Sequence, residues 1–383
     1  MSADRDKTLS LIAILSACIA YGTGMGLTLP LLSLTLERLG FPGSVNGLNL
    51  ATAGLAALVV TPFVPRLIAR LGSAQFLIAS LLLTSVSLVA IYEVPNLWFW
   101  FPARFVLSTG LNSLFVVSEF WINRLADERT RGRYIAIYTI CMAGSFGIGP
   151  ALLQVIGTRG ILPFVAGAGL LLLALVPVFL ARKTAPRIEE KSAHTVFSIL
   201  RLAPIAFGAA FVFGAIDAGM VGLLPVYAVR SGYSEAQAAL VVTAIAFGSI
   251  VFQYPIGALA DRMDRRLLLA LCASTGIAGA LLTPFLVAWP IALYGLLFIW
   301  GGLILGMYSI GLTMLGQRFS GGELASANAG FIMSYACGLL LGPATEGLAL
   351  DLWNPHGLLV AVGLICGIYV TFLMLTRPVP ASA

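Results

Sequence analysis

Long apolar runs recur along the whole of this chain with only short polar breaks between them. Each is long enough to cross the hydrocarbon core of a bilayer as a helix, which takes roughly 20 residues. They fall at residues 9–36, 45–65, 73–92, 97–123, 134–158, 161–181, 202–229, 236–260, 267–288, 290–317, 324–350 and 357–376. The pattern predicts an all-α membrane protein of about twelve transmembrane helices. The first run exceeds the apolar region of a secretory signal, roughly 7 to 15 residues, and no small-residue cleavage site follows it. It is therefore predicted to span as well. Composition removes the competing class. At 383 residues a soluble chain would hold two or three domains, but 59% of the residues are hydrophobic and only 10% are charged, so lipid must solvate most of the chain.

The arginines and lysines set the orientation, because cytoplasmic loops are enriched in them. With the N-terminus inside, the inner segments hold Arg5, Lys7, Arg66, Arg70, Arg124, Arg129, Arg131, Arg133, Arg182, Lys183, Arg187, Lys191, Arg201, Arg262, Arg265, Arg266, Arg318 and Arg377. The outer loops hold Arg38, Arg159 and Arg230. Both termini are thus expected in the cytoplasm, in a multi-pass protein of the cytoplasmic (inner) membrane. The formal charge of +6 is scattered over short loops, which points to anionic inner-leaflet lipid as partner and away from nucleic acid. Cys18, Cys141, Cys272, Cys337 and Cys366 all lie inside predicted helices, with neither pairing pattern nor metal-ligand spacing, and His194 and His356 lie in loops. No phosphate-binding loop motif occurs. No metal, cofactor or ATPase activity is expected.

The longest polar interval, Arg182 to Arg201, includes Pro186, Glu189, Glu190 and Lys191 and divides the helices six and six. The expected organisation is an N-terminal bundle over 1–181, a cytoplasmic linker over 182–201 and a C-terminal bundle over 202–383. Weak internal similarity supports duplication. Gly144 to Pro150 (GSFGIGP) is echoed by Gly338 to Pro343 (GLLLGP), and the loop after the second run, Pro65 to Gly72, aligns with Gly257 to Asp264. Two pseudo-symmetric six-helix bundles follow, with a substrate site between them near the midplane.

These residues resemble the major facilitator superfamily over essentially the whole chain. The family's loop pattern G-x-x-x-D-R-x-G-R-R is matched by Gly257, Asp261, Arg262, Arg265 and Arg266, with Asp264 where a glycine is usual. Its first-half copy is degraded: Pro65 and Ala69 replace the glycine and aspartate, while Arg70 and Gly72 remain. The helix 4 motif matches Arg104, Ser108 and Gly110, and the helix 5 motif matches Gly144, Gly149 and Pro150, resembling the antiporter signature of drug and metabolite exporters. The stretch Ser118 to Asn123 (SEFWIN) also resembles a branch of small bacterial facilitators. The resemblance implies a proton-transfer role for Arg104, a cytoplasmic latch at Asp261, Arg262, Arg265 and Arg266, and a monomer.

Ionisable groups inside hydrocarbon are costly and mark cavities or partners. Four occur: Arg104, Glu119, Asp217 and Glu346. At 100° per residue, Ser108, Asn112, Glu119 and Asn123 fall within about 100° of arc beginning at Arg104, a polar stripe suited to a cavity wall. Glu119 and Asp217 are the proton-carrier candidates, together with Arg104. The alternatives are an ion pair or loop bond for Glu119 beside Asn123 and Arg124, an interhelical hydrogen bond for Asp217, and backbone carbonyls for Arg104. Asp217 has no cationic residue within two turns, so any partner must come from another helix. Glu346 shares a face with Asn328, Tyr335, Leu339 and Gly342 near the outer end, where snorkelling, an outer gate or substrate contact are all open. Tyr21, Met25, Thr28, Asn112, Ser249, Gln253, Ser309 and Thr313 can line a cavity or pack. Their mixture fits a moderately polar or amphipathic substrate.

Gly22, Gly24 and Gly26, with Gly144, Gly147, Gly149 and Pro150, would let helices approach and bend. The reading is a secondary active transporter working by alternating access: a proton-coupled exporter (antiporter) of a small organic compound, with import by symport or uniport as the alternative. An enzyme would need a nucleophile with its base, a metal set or paired carboxylates, and a receptor would need an output domain that the inner linker is too short to hold. Neither is expected.

Overall fold

The computed structural model describes residues 2–125, 131–186, 203–319 and 321–376. Among them, twelve helices are long and apolar enough to cross a membrane. In chain order they are α1 (Ser2–Arg38), α2 (Gly43–Val60), α3 (Ser73–Glu93), α4 (Leu97–Leu125), α5 (Arg131–Ile156) and α6 (Leu162–Leu173, resumed over Leu175–Leu180). The second half holds α7 (Pro204–Gly222, resumed over Leu224–Arg230), α8 (Glu235–Ala260), α9 (Arg265–Leu286), α10 (Pro290–Arg318), α11 (Gly321–Leu352) and α12 (Gly357–Leu375). An even number of crossings brings both described chain ends to one face, called here the terminal face.

The segment Pro65 to Gly72 is helix where a loop was expected. After Val60 the chain tightens into a 3₁₀ turn, Thr61–Phe63, and runs on as helix over Val64–Leu71. Pro62 and Pro65 sit in the first turns of these two pieces, where a missing N–H breaks no ladder bond. Gly72, at φ +85°, then ends the helix in a conformation that costs other residues strain. The corresponding stretch of the second half does turn at the expected place. Asp261 caps the end of α8, and Asp264, in place of the usual glycine, accepts the backbone N–H of Leu267 at 2.8 Å as the N-cap of α9.

Two large hydrophobic cores form, with a smaller third around Phe207, Leu315 and Phe331. One gathers Ile14, Leu27, Leu81, Leu107, Trp121 and Phe164 from the first six helices; the other gathers Ile216, Val242, Leu269, Trp300, Met307 and Cys366 from the last six. Met25 packs against both. Most of the polar interval between the bundles, residues 187–201, lies outside the described residues. Its start is a turn, where Ser10 donates to the Thr184 hydroxyl at 2.7 Å.

Inside the first bundle α1 and α5 meet backbone to backbone. A side chain at Gly26 would overlap the Phe146 carbonyl, and a Cβ at Gly149 would lie 2.5 Å from the Leu27 nitrogen, while Pro150 Cδ stands against Gly26. Gly144 does not share this role, since nothing stands within 4 Å of where its side chain would be.

Candidate functional site

The two halves are joined at the face opposite the chain ends by a set of charged contacts. Glu37 and Arg38, adjacent at the end of α1, take opposite partners from the second half. Arg230 donates to Glu37 through Nε (2.8 Å) and Nη2 (2.9 Å), a bidentate pair with side chains only 14% and 19% exposed. Arg38 donates to both carboxylate oxygens of Glu235, which also accepts from the Thr158 hydroxyl and, at 3.2 Å, from Arg159. Arg38 reaches the Thr158 carbonyl at 3.0 Å as well.

A third tie has a different origin. Helix α2 begins after Pro42, which offers no side-chain cap. Asp351, from the end of α11 in the other half, takes that role by accepting the N–H groups of Gly43 (2.6 Å) and Ser44 (2.7 Å). A carboxylate at a helix N-terminus satisfies orphan donors and meets the positive end of the helix dipole. From there α2 and α11 run together toward the midplane with small residues between them. A side chain at Gly47 would overlap the Pro343 carbonyl, and one at Gly54 would meet the backbone of Leu339 and Leu340.

Toward the terminal face the helices that carry polar side chains leave them accessible. Glu119 and Asn123 on α4, Gln253 on α8 and Thr313 on α10 are exposed. Glu119 is nonetheless deep among protein atoms, within electrostatic range of Tyr21 on α1, Tyr138 on α5 and Tyr308 on α10. Because Tyr308 belongs to the other half, the open surface at Glu119 is the wall of a cleft between the halves. Gln253 donates to the Ser309 hydroxyl at 3.1 Å, and Thr313 bonds back to the Ser309 carbonyl at 2.8 Å.

At the inner end of this cleft Asp217 of α7 accepts the Tyr335 hydroxyl of α11 at 2.8 Å. The partner comes from another helix, as the local sequence required. Tyr21 is in electrostatic range of Asp217, and Tyr308 and Tyr335 are in range of Tyr21. Aromatic rings close the surroundings. Phe213 lies 5.7 Å from Tyr308 and stacks on Tyr335 at 5.8 Å; Tyr308 meets Tyr335 at 5.6 Å and Phe331 at 5.0 Å; Tyr21 meets Phe115 at 5.1 Å. Among the described residues no cation pairs with Asp217, Glu119 or Glu346. Nor do three His, Cys, Asp or Glu side chains converge as metal ligands would.

Other residues singled out from the sequence lie elsewhere. Arg104 is buried at 1% exposure and donates through Nη1 to the Thr28 carbonyl at 3.5 Å, tying α4 to α1. Thr28 is fully buried and lines no open surface. Asn112 donates to the Thr61 hydroxyl at 2.8 Å, within its own bundle. The Glu119 carboxylate pairs with neither neighbour; Asn123 donates to its backbone carbonyl instead. Asn328 is part-exposed on α11. Glu346 does not snorkel or face the cleft. It is 0% exposed inside the second bundle, lies against Gly219 of α7, and has no partner for either carboxyl oxygen among the described residues. The loop motif binds within its own half: Arg265 donates to Gln317, and Arg266 donates to the Leu373 and Thr376 carbonyls at the end of α12. Among the described residues Asp261 and Arg262 have no polar side-chain partner, and nothing stands near Gly257.

Sequence reasoning missed Glu37, Glu235 and Asp351, and with them the closed face. Part of the signal was present, since Glu37 stands beside the outer Arg38 and Glu235 follows five residues after the outer Arg230. It also missed Tyr308, one position before the Ser309 it chose.

The uncharacterized MFS-type transporter YfkF of Bacillus subtilis (strain 168) is 25% identical over 368 residues, covering 93% of each chain. The uncharacterized MFS-type transporter YcaD of Escherichia fergusonii is 26% identical over 330 residues, 84% of this chain and 83% of that one. Among solved structures, the nucleoside transporter NupG superposes with a TM-score of 0.75 at 15% identity, covering 96% of this chain and 97% of NupG. A bacterial homologue of the human lysosomal transporter Spinster, inward-facing and unoccupied, gives a TM-score of 0.71 at 15% identity, covering 96% and 95%. At that identity the superpositions speak for the fold. The Major Facilitator Superfamily model matches residues 13–239 and 231–383. By that match over nearly the whole chain, and with twelve candidate spans among the described residues, the chain is a membrane transporter and no enzyme, and it belongs to the major facilitator superfamily.

Proposed function

We infer that this protein is a proton-coupled secondary transporter that exports a small organic compound by alternating access. The observation that carries the reading is an asymmetry among the described residues: charged ties join the halves at one face, polar side chains including Glu119 are exposed toward the other, and no described cation pairs with Asp217 or Glu119. Alternating access needs two states that expose one site to opposite sides. The abundance of arginines toward the terminal face supports reading that face as the cytoplasmic side of a cell inner membrane; on that reading the described state is inward-open, and the two bundles are the bodies that rock.

Asp217, at the inner end, and Glu119, on the open wall, are the groups that exchange protons with the substrate movement. A carboxylate in a partly dry site can change charge as its surroundings change between states. The export direction draws on the resemblance of the α5 motif to that of exporters; of its residues, Gly149 and Pro150 pack against α1 at Leu27 and Gly26. Purified protein in proteoliposomes, loaded with a pH-sensitive dye and given a panel of candidate compounds, provides the test. Compound-dependent proton movement that Asp217→Asn or Glu119→Gln abolishes is the expected result. Substrate flux with no proton flux, equal in both variants, would make the protein a uniporter and overturn the coupling.

A further inference from the structure

The geometry points to an organic cation with an apolar or aromatic body as the compound the cleft receives, held at Asp217 against the rings of Tyr308 and Tyr335, with Phe213 buried behind them. This rests on the transporter reading above and adds the chemical class of the substrate.

Charge is the first ground. The accessible ionisable groups of the cleft, Asp217 and Glu119, are both acidic. The lone arginine inside the spans, Arg104, is buried at 1% exposure and turned onto the Thr28 carbonyl of α1. It cannot neutralise a carboxylate it does not touch. A low-dielectric cleft lined by one sign of charge concentrates ions of the other sign and resists anions.

Ring placement is the second ground. Tyr335 both donates its hydroxyl to Asp217 and stacks on Phe213, so the carboxylate is fixed at the edge of an aromatic surface. Tyr308 stands between Phe213, Phe331 and Tyr335, with centroid distances of 5.0 to 5.7 Å. Ring faces attract a cation lying within about 6 Å of the centroid, and desolvation strengthens that attraction. A bare ammonium or metal ion would gain little from these surfaces, because it would lose its water to apolar walls. A cation whose charge sits on or beside an apolar body suits both features at once.

The experiment uses purified full-length protein in detergent and two probes of one shape and opposite charge, tetraphenylphosphonium and tetraphenylborate, with equilibrium binding measured on wild type, Asp217→Asn, Tyr308→Phe and Tyr308→Leu. Helical circular dichroism and melting temperature check that each variant is folded. Saturable binding of the phosphonium is expected, weakened at least tenfold by Asp217→Asn and about three- to tenfold by Tyr308→Leu, and retained by Tyr308→Phe. Tetraphenylborate should show no saturable component that Asp217→Asn alters. Equal binding of both probes, or phosphonium binding unchanged in Asp217→Asn, would overturn the assignment. So would failure of the phosphonium to bind protein that still exchanges protons for an uncharged compound in proteoliposomes. That last outcome leaves proton-coupled transport standing and removes the cation class alone.

Discussion

The two ends of the cleft are held by different physics. At the closed face the halves meet through paired charges and a borrowed helix cap, with Arg230 on Glu37, Arg38 on Glu235 and Asp351 on the start of α2. At the terminal face Arg265 and Arg266 bind inside their own half, Arg265 on Gln317 and Arg266 on the last carbonyls of α12. One end therefore carries bonds that opening must break, and the other carries bonds that survive any motion of one half against the other. The balance between states is set at the closed face, where both small-residue contact and charge can be altered one residue at a time.

A single cysteine at Leu50, 1% exposed and packed across the halves against Gly222, reports opening of the closed face once the five native cysteines are replaced. The largest effect is expected from Gly47→Leu. Its side chain would overlap the Pro343 carbonyl, backbone that cannot yield. Overpacking of about 3 kcal/mol, roughly a hundredfold shift in the equilibrium, should leave the Leu50→Cys thiol open to a membrane-impermeant maleimide and stop transport. Labelling as slow as in the parent would show that the seam stays shut.

Arg230→Ala comes next. It removes two charge-assisted bonds and leaves Glu37 part-buried without a partner, worth about 2 kcal/mol or roughly thirtyfold in labelling rate. The exchange Glu37→Arg with Arg230→Glu should recover part of that loss, and no recovery would count against a paired contact. Asp351→Asn keeps the shape but weakens the cap on α2, so a shift of about 1 kcal/mol, near fivefold, is expected in the same assay. The smallest effect belongs to Arg159→Ala. Its side chain is 79% exposed, so the labelling rate should stay within about twofold of the parent. A larger change would mean that Glu235 depends on Arg159 more than on Arg38.

What the sequence disclosed follows the same division. Span positions were legible because crossing a bilayer imposes length and apolarity on every helix separately, and α1 to α12 lie within a few residues of the predicted runs, apart from the additional N-terminal turns of α1 and the helical extension beyond α2. That extension was hidden because Pro62 and Pro65 read as breakers, whereas at first-turn positions they are tolerated. The need for an interhelical partner at Asp217 was legible from its bare neighbourhood; the identity of that partner, Tyr335, was not, since it depends on how α7 and α11 rotate. Glu346 misled for the same reason. Its distance from the helix end allowed snorkelling, but the absent side chain of Gly219, more than a hundred residues away in the chain, makes the space that buries it.

The seam between α2 and α11 has a thermodynamic consequence. Where the halves must part, Gly43, Gly47, Gly54 and Gly347 present backbone, with Leu50 and Leu350 as the large apolar side chains beside them. Wetting apolar area is what gives a conformational change a large positive heat capacity, while wetting polar backbone lowers it. Opening this seam should therefore carry a small heat-capacity change. A van't Hoff plot of the labelling equilibrium would run close to straight across the growth range, and the state of the transporter would answer to ionic strength more steeply than to warmth.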